Sequence, residues 1–361
     1  MRLLLISRLF FPLTGGVATE YNFLYNKLKS KKYNFNISIL TSKNSEKNIY
    51  EKHKSSFILR SILDYQNKKI FFFKLLYLIF SIISCFLTFL FVSISQKKFD
   101  IVQIHSNFLF IKKSNYINYF ILIFKFLGKK SVLDIKDLSS YPLKDLGFDH
   151  YLVNSQNTYN LVSKYISPKK IKLIYSPLIK NKNKNKIKKK IGQILYIGTI
   201  SNQKGVQELI NAFPINYKKT KKKKVELHLY GEIIDKIKLN KNTFYKGILP
   251  HNKAINKIKQ SEILVLPSFS ESLPRVVLEA IFYNTKVLTS KGVPEIDKSL
   301  NSKNKIQSIK KKIINKQIKF LLTKKLTQKY NYDFSKHEDE FIKNQFNIFY
   351  KSLKKNEFEF I

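Results

Sequence analysis

The chain has 361 residues, enough for two domains of ordinary size, each with a hydrophobic core of its own. Hydrophobic residues make up 44% of it, which excludes an intrinsically disordered chain despite the formal net charge of +43. A single cysteine, Cys85, excludes an internal disulfide framework and favours the cytoplasm.

The excess of positive charge has three explanations that the sequence leaves open. Lysine supplies nearly all of the basic residues, and lysine, asparagine and isoleucine dominate, as in chains encoded by AT-rich genomes. Codon bias is therefore one explanation, a nucleic-acid-binding surface is another, and attraction to an anionic membrane surface is the third. The lysine-rich runs at 180–190 and 218–224 lack interleaved aromatic residues, so we predict no specific nucleic-acid partner.

The first half of the chain alternates apolar runs with amphipathic stretches. "RLLLIS" begins directly after Met1 and predicts a buried strand; it is too short for the apolar part of a secretion signal. The loop "RLFFPLTGG" and a helix from Val17 to about Leu28 follow. Five further apolar runs come next: "FNISIL", "FDIVQIH", "KSVLDIK", "HYLVNS" and "KIKLIYS". This order predicts a doubly wound α/β domain over residues 1–177.

The pattern restarts after a stretch with nothing to bury. Residues 178–190 are rich in lysine and asparagine and predict a linker. "QILYIG" opens a second α/β domain over residues 191–335, and residues 336–361 hold an amphipathic helix expected to cross back to the first domain. Ligands of open α/β sheets bind at the carboxyl ends of the strands, so we expect the two domains to face each other across a cleft.

One segment of the first domain, Leu75 to Ser95, is long enough and apolar enough to span a bilayer. A single span would place strands of one sheet on opposite sides of the membrane, which conflicts with the predicted fold. Hydroxyl residues recur along one helical stripe, and bulky residues occupy the opposite face. The stripe is Tyr77, Ser81, Ser84 and Thr88, and the bulky face is Ile79, Ile83, Phe86 and Leu90. We predict in-plane attachment to the inner face of the cell membrane; a wholly buried helix is the alternative.

The most informative motif is "SESLPRVVLEA", which follows the apolar run "EILVLPS". Residues 269–273 would form the loop at the carboxyl end of a strand, with Ser272 as the cap and Pro274 in the first turn of the next helix. Free N–H groups at that helix start would suit a phosphate. Glu271 would contact sugar hydroxyls and Glu279 ribose hydroxyls. The alternative is a solvated acid in the loop and an Arg275–Glu279 pair four residues apart on an exposed helix face.

Several motifs together resemble the retaining glycosyltransferases of family 4, which have the GT-B fold of two Rossmann-like domains. Two glutamates separated by seven residues follow a strand that ends in Pro-Ser, as in "LPSFSESLPRVVLEA". "GTISNQKG" supplies Gly198, Lys204 and Gly205, and "PLTGG" supplies the glycine pair Gly15 and Gly16. "FDIVQIH" ends in His105. The chain departs from the family at Thr199, where an arginine is usual.

The resemblance implies a sugar transfer from a nucleotide-diphosphate sugar, expected to be a UDP-sugar, to a lipid-linked or polysaccharide-precursor acceptor. Glu271 would hold the donor sugar, His105 would lie near it, and Lys204 would face the diphosphate without the family's arginine. Gly16 would allow a close backbone approach to the donor. The donor-binding residues it implies are Gly15, Gly16, Gly198, Thr199, Lys204, Ser272, Leu273, Pro274, Arg275, Val276 and Glu279.

The sequence offers little for a metal or a dinucleotide cofactor. Asp-x-Asp, the usual metal–diphosphate motif of the other glycosyltransferase fold, is absent, so we expect metal-independent catalysis without a cofactor. The first loop lacks Gly-x-Gly-x-x-Gly, which argues against the main enzymatic alternative, a Rossmann-type enzyme that modifies nucleotide sugars. A basic nucleic-acid- or membrane-binding protein without catalysis is the remaining alternative.

Overall fold

The computed structural model describes the chain apart from several short segments. The segments outside the description are residues 9, 11–14, 30–31, 43–47, 54–55, 62–70, 107–118, 137–143, 179–186, 214–217, 221–222, 270, 291–295, 297–298, 326 and 356–361. At residues 53, 71–78, 81, 119–121, 218–220, 223 and 355 it describes the backbone alone. Most of the predicted 178–190 linker, the start of "PLTGG" and part of the 218–224 lysine run therefore lie outside the described residues.

Contacts divide the chain into two compact units. The first unit is Met1–Pro177 together with Asp339–Ile361, and the second is Leu178–Glu338.

The first unit is built on an eight-stranded sheet in the order β3-β4-β2-β1-β5-β6-β7-β8. Every neighbouring pair is parallel except β3 with β4. Its elements are β1 Arg2–Ser7, α1 Gly16–Leu28, β2 Asn36–Ser42, β3 Tyr50–His53, β4 Ser56–Ser61, α2 Phe71–Ser95, β5 Phe99–His105, a 3-10 segment Tyr119–Leu127, β6 Gly128–Ile135, β7 His150–Val153, α3 Gln156–Val162 and β8 Ile171–Leu173. The central strands are largely apolar because helices cover both faces of a parallel sheet.

Three boundaries in this unit differ from the sequence prediction. Strands β3 and β4 had no predicted counterpart, because their run "YEKHKSSFILRS" mixes charge with apolar residues. The last predicted strand, "KIKLIYS", shortens to the three residues of β8. The first helix begins at Gly16, one residue before the predicted start.

The C-terminal helix α8, Asp339–Lys355, belongs to the first unit. It begins at Asp339, inside the predicted segment 336–361, because Ser335–His337 form a separate 3-10 turn. Phe346 and Phe349 are buried, and the Tyr350 hydroxyl donates a hydrogen bond of 2.5 Å to the side-chain oxygen of Gln103 on β5. The end of the chain is thus fixed to the centre of the first sheet.

A buried charge cluster lies beside that hydrogen bond, and we call Glu20, Lys136 and Asp134 the sealed cluster. The Lys136 amino group is 2.8 Å from the Glu20 carboxylate and 3.2 Å from the Asp134 carboxylate. All three side chains are at most 7% exposed. Burial raises the pKa of Asp134 to about 6, although Lys136 opposes the shift. One lysine thus compensates two buried carboxylates, which would otherwise be costly to bury.

The second unit has a six-stranded parallel sheet in the order β13-β12-β9-β14-β15-β16. Its elements are β9 Gln193–Ile197, a 3-10 turn Asn202–Lys204, α4 Val206–Ala212, β10 Lys218–Thr220, β11 Lys223–Lys224, β12 Glu226–Tyr230, β13 Thr243–Tyr245, α5 His251–Gln260, β14 Ile263–Leu266, α6 Arg275–Phe282, β15 Lys286–Ser290, 3-10 turn Ser302–Asn304, β16 Lys305–Ile306, α7 Lys311–Thr323 and 3-10 turn Ser335–His337. β9 and β14 are direct neighbours, so the loops that follow them meet at one edge of the sheet.

The apolar segment of the first unit forms helix α2. Its hydroxyl stripe faces inward at the two positions whose side chains are described: Thr88 is buried and Ser84 is half-buried. Both share hydrogen bonds with Ser61 at the end of β4. Tyr77 and Ser81 lie outside the described side chains. Within the described residues, the helices fall short of the length and hydropathy that a membrane crossing needs.

Candidate functional site

Two loops meet at the carboxyl edge of the second sheet, one after β9 and one after β14. Gly205 ends the first loop with φ of 64°, and a Cβ atom there would lie 2.3 Å from the carbonyl oxygen of Pro267 in the second loop. The backbone N–H of Phe269 donates to the carbonyl of Gln203 across the two loops, at 3.1 Å. Glycine at 205 therefore permits both the left-handed turn and the close approach of the loops.

This approach brings Lys204 and Glu271 together, and we call them the loop pair. The Lys204 amino group donates to Oε1 of Glu271 at 2.7 Å, and the Ser268 hydroxyl donates to the same oxygen at 2.7 Å. The side chains of Lys204 and Glu271 are 23% and 14% exposed. Because both bonds end on Oε1, Oε2 is the oxygen that remains open to a ligand within the described part of the chain.

Tyr196 fixes the backbone of the loop that carries Lys204. Its hydroxyl donates to the carbonyl of Thr199 at 2.7 Å, and the N–H of Gly198 donates to the carbonyl of Tyr230 at 3.0 Å. Burial raises the pKa of Tyr196, and the charge of Glu271 adds to the shift. The tyrosine is therefore a neutral donor that fixes the backbone at Thr199, the position where the resemblance leads one to expect an arginine.

The start of helix α6 differs from the prediction in two respects. The capping residue is Pro274, which has extended backbone angles and no side-chain cap, so Ser272 is not the cap. The first helical residue is Arg275, so Pro274 lies one position before the first turn. Leu273 and Ser272 are buried and Val276 is half-buried. Because a proline side chain accepts no hydrogen bond, it leaves the first N–H groups of the helix available to a ligand.

Glu279 is buried, which contradicts the alternative that places it with Arg275 on an exposed helix face. Its side chain is 5% exposed, and its Oε1 is 2.7 Å from Nε2 of His251, the first residue of helix α5. The Arg275 guanidinium lies 3.8 Å from the same oxygen, so the predicted pair exists inside a larger cluster. Glu279 is thus a carboxylate held between two nitrogen-bearing side chains.

The remaining candidates belong to the first unit, after the adjacent parallel strands β1 and β5. Gly15 precedes helix α1 with φ of 131° and ψ of 167°, a conformation that residues with a Cβ atom rarely adopt. Gly16 is the first residue of that helix. The ring of His105 is 1% exposed and packs edge-on against Tyr21, with ring centroids 5.6 Å apart. This burial favours a packing role for His105.

Sequence reasoning missed three residues that shape the site of the second unit. Ser268 and His251 each contact one of the two glutamates, and Tyr196 holds the backbone between Gly198 and Lys204. His251 precedes Glu279 by 28 positions, a separation that no local pattern reveals. Tyr196 occupied an ordinary strand position. Ser268 was visible in the motif, where the chain reads "PSFSE".

The second unit matches a known family in sequence. Residues 179–344 match the family described as glycosyl transferases group 1. An uncharacterized 41.2 kDa protein of the cps region of Klebsiella pneumoniae is 24% identical over 56% of this chain and 64% of its own length. The capsular polysaccharide biosynthesis glycosyltransferase CapH of Staphylococcus aureus is 32% identical over 39% of this chain and 41% of its own length. The chain thus spans less than two thirds of either relative.

Solved structures resemble the chain over nearly its whole length. Sucrose-phosphate synthase of Thermosynechococcus elongatus superposes with a TM-score of 0.64 at 13% identity, covering 98% of this chain and 99% of the other. An E. coli structure described as trehalose-6-phosphate bound with UDP-2-fluoro glucose gives a TM-score of 0.61 at 12% identity, covering 98% and 99%. At such identity the likeness shows the fold alone: two α/β units with parallel sheets, as in GT-B glycosyltransferases.

Proposed function

We propose that this chain is a glycosyltransferase that moves a sugar from a nucleotide-diphosphate sugar to a lipid-linked or polysaccharide-precursor acceptor. The observation that carries the proposal is the loop pair, which places a lysine and a glutamate 2.7 Å apart at the carboxyl edge of the sheet. It lies inside the region that matches the glycosyl transferases group 1 family. Ligands of open parallel sheets bind at this edge.

Charge is the first contribution of the site to the reaction. When the glycosidic bond to the nucleotide breaks, negative charge grows on the diphosphate, and positive groups placed beforehand stabilise it. Lys204 and the N–H groups at the start of helix α6 would supply that stabilisation. Transfer would then proceed without a metal ion or a cofactor, and EDTA should leave turnover unchanged.

The two glutamates would bind different parts of the donor. Glu271 presents Oε2 to the sugar hydroxyls, while Lys204 and Ser268 fix its orientation through Oε1. Glu279, held by His251, would accept hydrogen bonds from the ribose hydroxyls. UDP is the nucleotide we propose, supported by the UDP sugar in the similar E. coli structure. The capsular relative supports an envelope glycan as the acceptor class.

The stereochemistry and the place of the reaction belong to the same proposal. We propose that the transfer proceeds with retention of anomeric configuration, as in the family that the sequence resembles. We further propose that the protein acts at the inner face of the cell membrane, where lipid-linked precursors are accessible.

The test is an assay of nucleotide diphosphate release from a panel of nucleotide sugars, with a bacterial lipid extract as the source of acceptor. We expect one UDP sugar to react and the product to keep the anomeric configuration of the donor, as read by NMR. Lys204→Met, which removes the charge but keeps the stem, should lower this turnover. Turnover in this variant equal to that of the wild type would contradict the proposed site. Salt-dependent binding to random DNA without diphosphate release would favour a nucleic-acid-binding protein instead.

A further inference from the structure

Helix α2 of the first unit carries an apolar surface that the proposed chemistry does not use. Between Ile79 and Gln96 the helix has no charged residue. Its outward side chains are large, apolar and exposed, and we call them the α2 face: Ile79, Phe80, Ile83, Phe86, Leu87, Phe91 and Ile94. At 100° per residue, these positions cover an arc of about 140° around the helix. A surface helix normally turns charged residues to water, so this face marks an interaction site.

A groove runs along one flank of the α2 face. It has a volume of about 500 Å³, within the usual range of ligand sites, and lies between the helix and strands β3 and β4. Ile49 and Tyr50 line it on the side of β3, and Phe80, Leu87 and Phe91 line it on the side of the helix.

The polar groups at the base of this groove are already satisfied by one another. The Ser61 hydroxyl lies 3.1 Å from that of Ser84 and 2.6 Å from that of Thr88, and the Thr88 hydroxyl donates to the carbonyl of Ser84 at 2.6 Å. A ligand therefore gains little by presenting a polar group to the groove. Its remaining surface suits a hydrocarbon chain.

Positive charge gathers at the C-terminal end of the same helix. A second hollow of about 180 Å³ is lined by Lys97 and Lys98 together with Phe89 and Phe126. Both lysines are exposed, and Phe126 is 66% exposed. Arg2 lies beside them, donating to the carbonyl of Lys97. The carboxylate of Asp100 accepts from the backbone N–H of Arg2.

We propose that the α2 face, the groove and the lysine end form one docking surface for a bilayer that contains anionic lipid. Acyl chains would cover the α2 face and enter the groove, while Lys97 and Lys98 would meet the negatively charged head groups. A helix from a partner protein would fill the groove but leave the far side of the arc exposed. A lipid surface covers both, and the neighbouring lysines match its charge.

The chain contains no tryptophan, which makes a single introduced tryptophan a specific reporter. The reporter is Phe91→Trp, at a groove position that is 49% exposed. The matched control is Tyr165→Trp, 52% exposed in the same unit but outside the docking surface. Each protein is mixed with vesicles of phosphatidylglycerol and phosphatidylcholine, with and without bromine on the acyl chains. Leu87→Trp serves as a second reporter if Phe91→Trp unfolds.

We expect the groove reporter to shift to shorter emission wavelength with these vesicles and to lose at least half of its emission to brominated chains. The control should keep its emission. Replacing Lys97 and Lys98 with glutamine should weaken vesicle binding about tenfold or more, since each lysine near an anionic surface contributes severalfold. Unchanged emission of both groove reporters with vesicles would overturn the proposal. A wavelength shift that depends on protein concentration without lipid would overturn it too, by assigning the face to a second copy of the chain.

Discussion

The sealed cluster of the first unit and the loop pair of the second solve the same problem, an acid beside a lysine, in opposite ways. Lys136 is 7% exposed and compensates two carboxylates, whereas Lys204 is 23% exposed and compensates one. Burial makes the first arrangement expensive to disturb, because the partners that remain cannot recover water. Exposure makes the second cheap to rearrange, because a ligand phosphate can replace the carboxylate as the partner of the lysine. The comparison separates the charges of the sealed cluster, which are fixed inside the fold, from those of the loop pair, which we propose to act in the reaction.

The largest expected effect is on the stability of the protein when the sealed cluster is changed. Lys136→Met removes the positive charge but keeps most of the stem, leaving Glu20 and Asp134 buried without their cation. We expect a loss of about 3–5 kcal/mol in the free energy of unfolding, measured by urea denaturation followed by circular dichroism. The matched change Lys204→Met should cost at most about 1 kcal/mol. Equal losses in the two variants would break the comparison.

The pH dependence of stability should also distinguish the sealed cluster. Burial raises the pKa of Asp134 from 3.8 to about 6, so the folded state holds this proton more tightly than the unfolded state does. The resulting stabilisation is complete below about pH 4 and is lost as the pH rises to about 6. It amounts to at most about 3 kcal/mol.

Asp134→Asn removes this titration. The stability of the wild type relative to this variant should therefore fall between pH 4 and pH 6, as measured by urea denaturation at several pH values. A constant difference over that range would mean that the pKa of Asp134 is not raised in the folded protein.

The loop pair should respond in activity rather than in stability. Glu271→Gln keeps the shape of the side chain but removes the charge near the donor sugar, and we expect turnover to fall at least about a hundredfold. The melting temperature should stay within a few degrees of the wild-type value. A steady-state assay of diphosphate release checks the first statement and a thermal scan the second. Turnover near the wild-type level would remove Glu271 from the site.

Lys204 should show a smaller loss because backbone N–H groups share the phosphate charge. Lys204→Ala should cost about 2 kcal/mol of transition-state stabilisation, roughly thirtyfold in kcat/KM. Thr199→Arg restores the arginine that is usual at this position in the family that the sequence resembles. Added to Lys204→Ala, it should recover part of the loss. No recovery would show that an arginine at 199 does not reach the diphosphate.

The sequence predicted the fold more completely than the site. Buried parallel strands such as β1 and β9 are continuous apolar runs, and such runs are visible without any knowledge of neighbours. Strand β3, at the edge of the sheet, and its neighbour β4 were missed because their sequences mix polar and apolar residues. The helix boundary at Arg275 was missed because Pro274 is compatible with both the capping position and the first turn.

Partners that are distant in sequence account for what was missed in the site. Glu271 and Lys204 were identified from their motifs, but their contact depends on Gly205 approaching Pro267, which no single motif records. Glu279 was expected on a solvated face because the helical pattern of α6 alone places it beside Arg275. The adjoining helix α5 covers that position and brings His251 into contact with it. Burial of a side chain depends on neighbouring elements, whereas periodicity describes one element.

His251 gives the smallest expected effect and the sharpest test of the role of Glu279. Its Nε2 and the Glu279 carboxylate are 2.7 Å apart, so we expect the ring to orient the carboxylate that we propose for the ribose. His251→Ala should weaken UDP binding by up to about tenfold, measured by calorimetry, while turnover at saturating donor changes less. His251→Gln can still donate a hydrogen bond and should restore most of the affinity, whereas Glu279→Gln should weaken UDP binding more than either. If His251→Ala lowers turnover at saturation and leaves UDP affinity intact, the Glu279 carboxylate acts on the reacting sugar instead of on the nucleotide.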